Sequence, residues 1–164
     1  MSASSTNLST SAIPDDEAYW SQPRQVIFPA RFSMLDEVRD FVKLAAEACG
    51  LDAKAVYSVQ LAVDEAFTNV VEHAYGGECE ENIECTCQVI GNELTVTMKD
   101  CGSTFNPDGV PDPDLESELQ ERQVGGLGLY FMRQLMDEVD FKFLPPQQGQ
   151  PGCNLLRMVK RKEN

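Results

Sequence analysis

Three groups of residues have types and spacings that could do chemistry. In Asp64-Glu65-Ala-Phe-Thr-Asn69-Val-Val-Glu-His73, the residues Glu65, Asn69 and His73 lie four apart. On a helix they would stand one above the other on a single face. A carboxylate beside a neutral amide suits proton transfer, while the amide oxygen can hold Mg²⁺ without overcharging it. The alternative is a solvated helix face. Asp100-Cys-Gly102 closes an alternating apolar run. A carboxylate there can accept a hydrogen bond from an amino group such as that of adenine, and the glycine admits a planar ring to the backbone. A plain strand-ending turn is the alternative. Gly125-Gly-Leu-Gly128 precedes a third apolar stripe. Its bare N–H groups and the helix start behind it favour phosphate. Neither a P-loop Lys-Ser/Thr nor a Rossmann βαβ unit accompanies these glycines.

The elements that must position these groups follow from apolar periodicity. Gln25–Phe28 reads as a short strand ended by Pro29. Ser33 is expected to cap a helix with acids Asp36 and Glu37 in its first turn and Gly50 at its end. Asp52 caps a longer helix expected to run to about Tyr75, closed by Gly76-Gly77. Ile83–Ile90 and Leu94–Met98 alternate as strands about a tight turn at Gly91-Asn92. A helix after Gly128 turns Leu129, Met132, Leu135 and Met136 inward, and Val139–Leu144 and Asn154–Val159 complete the strands. Residues 103–124 hold three Pro and six acids against one base, Arg122. Such a stretch within a domain is a functional lid or a disordered loop. The order β α α β β lid α β β predicts an α+β sandwich with helices over one sheet.

The 164 residues suit one domain, with a mobile tail over 1–22 and Tyr19 and Trp20 pinned to the domain or to a partner. Thirteen Lys and Arg against 27 Asp and Glu give a formal charge of −14. That field repels phosphate backbones and anionic lipid surfaces, so neither nucleic acid nor membrane is an expected partner. No apolar run is long enough to cross a bilayer, and Met1-Ser-Ala-Ser-Ser-Thr-Asn-Leu lacks a secretory apolar region. A cytoplasmic, reducing location is therefore expected, with thiols in place of disulfides. Cys79, Cys85 and Cys87 near His73 would be the candidate zinc ligands. No CxxC pair exists, however, and Cys85 and Cys87 fit one strand face as small apolar side chains.

Order and separation bind the three groups together. Glu65-x3-Asn69-x3-His73, then Asp100-x-Gly102-x-x-Phe105-Asn-Pro107, then Gly125-Gly-Leu-Gly128-Leu resemble the N, G1 and G2 boxes of the GHKL ATPase superfamily. Asp-x-Gly-x-x-Phe-x-Pro and the run from Gly126 to Val139 are similar to anti-sigma-factor serine kinases of the RsbW/SpoIIAB type. The resemblance spans about Val26 to Lys160. It implies a two-layer α/β sandwich of the Bergerat (GHKL) type, with a mixed, mostly antiparallel sheet, helices on one face and an ATP lid over 103–124. The kinase domain would occupy 23–164.

The resemblance further implies an ATP- and Mg²⁺-dependent serine/threonine protein kinase. Such a protein phosphorylates a STAS-type anti-sigma antagonist, binds a sigma factor in other nucleotide states, and is a homodimer. Glu65 would be the general base, and Asn69 would ligate Mg²⁺ on the phosphates. Asp100 would bind the adenine amino group, with Gly102 under the ring and Phe105 beside it. Gly125, Gly126, Leu127 and Gly128 would offer backbone N–H groups to phosphate, Arg122 would be the lid's phosphate contact, and His73 would be a phosphate neighbour or a structural histidine. The third glycine of the broader G1 box is absent. Where the last strand commonly offers a Thr near the adenine, Gly152 is followed here by Cys153 and Asn154. A different class of function also fits: a nucleotide-sensing module that sequesters its partner with little turnover. The −14 then takes on a pattern, since −3 lies in the tail, −5 in 103–124, and Glu72–Glu84 adds five acids without Lys or Arg. The acidity surrounds the proposed nucleotide site, where Mg²⁺, glycine N–H groups and a helix dipole would have to hold phosphate.

Overall fold

A computed structural model describes residues 16–106 and 126–163. Arg122, Gly125 and the lid beyond Asn106 lie outside the described residues. The first element among the described residues is α1 (Glu17–Trp20), where Asp16 accepts from the Ala18 amide. Trp20 is fully buried, its ring 5.6 Å from that of Phe41. The core thus begins inside the segment that composition assigns to the tail.

Strand β1 (Arg24–Pro29) leads through a 3-10 turn at Phe32–Met34 into α2 (Leu35–Ala48). No side chain caps α2: the 3-10 turn occupies the place given to Ser33. Its stripe Val38, Phe41, Val42, Ala45 and Ala46 is buried as expected. The helix ends in a Schellman motif, with Leu51 N–H donating to Ala46 O and Gly50 N–H to Glu47 O. Gly50 has φ +83°, a conformation that excludes most side chains. Asp52 then caps α3 (Ala53–Asn69), accepting from the Ala55 amide at 2.8 Å.

The α-helix stops at Asn69 rather than Tyr75. Val70–Ala74 form a π turn, in which Tyr75 N–H reaches back five residues to Val70 O. The carbonyls that such a turn releases need other partners, and Ala74 O finds one in the Ser103 amide at 2.7 Å. The wider turn moves His73 off the strict four-residue row that Glu65 and Asn69 share.

The sheet comprises β1, β2 (Asn82–Ile90), β3 (Glu93–Asp100), β4 (Glu138–Leu144) and β5 (Cys153–Arg161) in the order β1-β2-β3-β5-β4. Every neighbouring pair is antiparallel. Between β3 and β4 the chain passes through α4 (Gly126–Leu135), and β5 slots between those two strands. They share a direction without touching, so no parallel pair arises among the described strands. The two-layer α+β sandwich is as expected, with α2 packed on α3 and α3 on α4 over one face. Phe28, Ile83, Cys85, Cys87, Leu94, Val96, Met98 and Met158 line that face and are buried. Lys160 Nζ closes the C-terminal end of α4, donating to Leu135 O at 2.7 Å. No helix among the described residues is long and apolar enough to cross a membrane.

The expectation that all cysteines are thiols is corrected. Cys101 and Cys153 form a disulfide, and Cys49, Cys79, Cys85 and Cys87 are free. The two partners lie 52 residues apart in sequence, and only the β3–β5 register, which pairs Asp100 with Asn154, brings them together. Alkylation of the unreduced, denatured chain is expected to label four thiols and leave two protected. Six labelled thiols would remove the disulfide. Its reduction should lower the unfolding free energy by about 2–4 kcal/mol, as a midpoint shift in urea, because it closes a long loop.

Candidate active site

The end of α3, the ends of β3 and β5, β4 and the inner side of α4 enclose an open cleft of about 130 Å³. Asn69, His73 and Ala74 line one wall; Met98, Asp100, Asn154 and Leu156 form the sheet side; Ser103, Thr104, Phe105, Met132 and Phe141 complete it. The Phe105 and Phe141 rings meet tilted at 5.0 Å and give the lining an apolar part. Its apolar lining and few convergent polar groups fit a planar ligand.

Asp100 is the buried polar anchor, 5% exposed in an otherwise apolar setting. Its Oδ1 accepts from Gly102 N–H at 3.0 Å and from Asn154 Nδ2 at 2.9 Å. Burial pushes its carboxyl above the usual carboxylate range, and the donors from Asn154 and Gly102 partly reverse this. Gly102 itself does not line the cleft. A Cβ on Gly102 would stand 2.5 Å from Ala74 O and 2.6 Å from Ala74 C, so this glycine lets the end of β3 lie against the π turn.

Asn69 faces both the cleft and α4. A Cβ on Gly128 would fall 2.6 Å from Glu65 Oε2 and 3.5 Å from Asn69 Nδ2. The glycine-rich start of α4 is therefore pressed onto the Glu65–Asn69 pair, one turn of α3 apart. Burial, then the charges of Asp64 and Glu72, raise the Glu65 carboxyl above the usual 4.5. A more basic carboxylate is a better proton acceptor near neutral pH. Gly126 and Leu127 lie in the first turn of α4, where backbone N–H groups are free of helical partners. His73 lines the cleft, half-exposed, with Nε2 3.9 Å from Glu72. Asp64, next to Glu65, turns instead to α2, where Arg39 Nη1 donates to its Oδ2 at 3.0 Å.

No group of three or more His, Cys, Asp or Glu among the described residues is placed to hold a metal ion. The neutral Asn69 amide beside glycine N–H groups fits Mg²⁺ that arrives with phosphates and takes most of its ligands from them. Sequence reasoning left Asn154 without a role. Its place after Gly152, where the family commonly offers a Thr, was the sequence signal for it, but its register opposite Asp100 needs the strand pairing to be known.

The histidine kinase-like ATPase domain family matches residues 28–160. The serine-protein kinase RsbW of Listeria monocytogenes is 31% identical over 98 residues, covering 57% of this chain and 62% of that protein. RsbW of Bacillus velezensis is 33% identical over 116 residues, covering 68% and 72% respectively. The chain thus spans less than two thirds of the length of the Listeria relative. A solved structure of the RsbU and RsbW domains of a Mycobacterium tuberculosis protein superposes with TM-score 0.56 at 18% identity. It covers 85% of this chain and 32% of that one, a likeness of fold.

Proposed function

The chain belongs to the histidine kinase-like ATPase domain family, in the branch of the RsbW serine-protein kinases, and from that footing we propose that it is an ATP-dependent serine/threonine protein kinase. Its substrate is a hydroxyl of a STAS-type anti-sigma antagonist, and its other partner is a sigma factor. It works in the cytoplasm as a homodimer. The observation that carries the reading is the cleft that joins a buried carboxylate acceptor, Asp100, to Asn69, with Glu65 one turn earlier on α3 and against Gly128 at the glycine start of α4.

In this reading Asp100 accepts from the adenine amino group while Phe105 and Phe141 flank the ring. Asn69 holds Mg²⁺, which supplies positive charge against the phosphate oxygens when bound with ATP. The N–H groups at Gly126–Gly128 and the α4 dipole hold the phosphates in a strongly acidic protein. Glu65 accepts the proton of the attacking hydroxyl as the phosphoryl group leaves ADP. Gly125 and Arg122 keep phosphate-binding roles proposed on sequence alone. His73 is a neighbour of the phosphates.

Incubation with labelled ATP, Mg²⁺ and a STAS partner is the test. Label on a Ser or Thr of the partner is expected, and Asn69→Ala should abolish both transfer and the Mg²⁺-dependent thermal stabilisation by ATP. A tight complex without label would replace the kinase by a sequestering module. Mg²⁺-independent stabilisation that survives in Asn69→Ala would remove the metal role of Asn69.

A further inference from the structure

The amide of Asn154 makes three hydrogen bonds, using both of its N–H donors and its oxygen. Nδ2 donates to Asp100 Oδ1 and to Ser103 O, each at 2.9 Å, and Oδ1 accepts from Phe105 N–H at 3.0 Å. The orientation is not interchangeable: rotating the amide would set its oxygen against two acceptors and its nitrogen against a donor. One side chain thus ties the end of β3 to β5 and also fixes the backbone of Ser103–Phe105, which lines the cleft.

The consequence falls on Asp100. Both of its donors, Gly102 N–H and Asn154 Nδ2, use the same oxygen, Oδ1. Its Oδ2 has no protein partner among the described residues, and Asp100 lines the cleft. The carboxylate is therefore held with one oxygen saturated and the other offered as a pure acceptor. A 6-amino purine presents an N–H donor to such a group, whereas guanine presents a carbonyl oxygen and meets repulsion. Without the Asn154 donor only Gly102 N–H holds Oδ1, and the carboxylate turns more readily. It is also more readily protonated in its buried setting, and a protonated carboxyl can donate to the guanine carbonyl.

We infer that Asn154 is the positioning residue for purine discrimination: it does not contact the base, but orients Asp100 so that a 6-amino group is selected. This rests on the nucleotide-binding reading above, and its effect is confined to the choice of base.

The test is equilibrium binding of three Mg²⁺-nucleotides to the full chain: ATP, purine riboside triphosphate (which lacks the 6-amino group) and GTP. The wild-type protein is expected to prefer ATP over the analogue by about tenfold or more, the worth of a hydrogen bond to a charged group. In Asn154→Leu and Asn154→Asp, both close in size to Asn, that preference should collapse several-fold, with the analogue still bound. Asn154→Thr, which keeps a hydroxyl donor towards Asp100, should retain most of it. A thermal melt of each variant identifies which of them fold, and the ratio is read in those. If ATP and the analogue weaken equally, Asn154 is structural only and the inference falls. If the wild-type protein binds none of the three, the nucleotide reading itself falls.

Discussion

Glu65→Gln is expected to reduce phosphoryl transfer about 100- to 10,000-fold while ATP binding persists, the range that removal of a general base produces. Gln keeps the size of Glu and can still lie against Gly128, whose missing Cβ leaves room for Glu65 Oε2. Only the capacity to accept a proton is lost. The pH profile gives a second readout. Because burial and the neighbouring Asp64 and Glu72 raise the Glu65 pKa, the working carboxylate form is depleted as pH falls, from a point above the usual 4.5. Wild-type transfer should therefore show an acid limb that Glu65→Gln lacks. Transfer at the wild-type rate, or an unchanged acid limb in the variant, would reassign the base.

The second large effect is architectural. At Gly102 an added methyl would press on the Ala74 carbonyl and its carbon at 2.5 and 2.6 Å. Those are backbone atoms that cannot swing aside, and the same carbonyl accepts from the Ser103 amide. Gly102→Ala should cost about 1–3 kcal/mol as an overpacked contact. That corresponds to a melting temperature lowered by roughly 3–9 °C in a chain of this size. ATP affinity should fall with it, since Asp100 and Ser103 flank the displaced residue. A variant that melts with the wild-type protein would show that β3 and the π turn do not approach so closely. The two substitutions separate chemistry from scaffold: the first spares stability and removes rate, the second removes both.

The residues that define the cleft differ in how far sequence alone could place them. The stripes of α2 and α3 and the alternation of β2 and β3 are local signals, because each buries one face against a common core, and these elements lie where periodicity predicts. Asp100, Asn69 and Phe105 meet in the cleft as their motif order implies. Trp20 is pinned to the domain, one of the two outcomes the sequence left open, but its partner Phe41, on a helix beyond the first strand, was not legible. Similarly, Ser33 satisfies the local rule for a helix cap, yet the 3-10 turn claims that position.

What the sequence determined by itself was the content of the site: a carboxylate and amide one helical turn apart, an acidic strand end, and glycines at a helix start. Spacing within a single element is a property of local backbone geometry, so it can be read without the fold. What only the tertiary structure decided was set by contacts between distant segments. The π turn at Val70–Ala74 exists with the Ser103 amide donating to its released carbonyl, and Gly102 is required by that approach rather than by the cleft. Cys101–Cys153 and Asp100–Asn154 are neighbours because β5 inserts between β3 and β4. Hydrogen bonds and disulfides across more than 50 residues depend on strand register. Register is fixed by how the buried faces pack together, which no local pattern records.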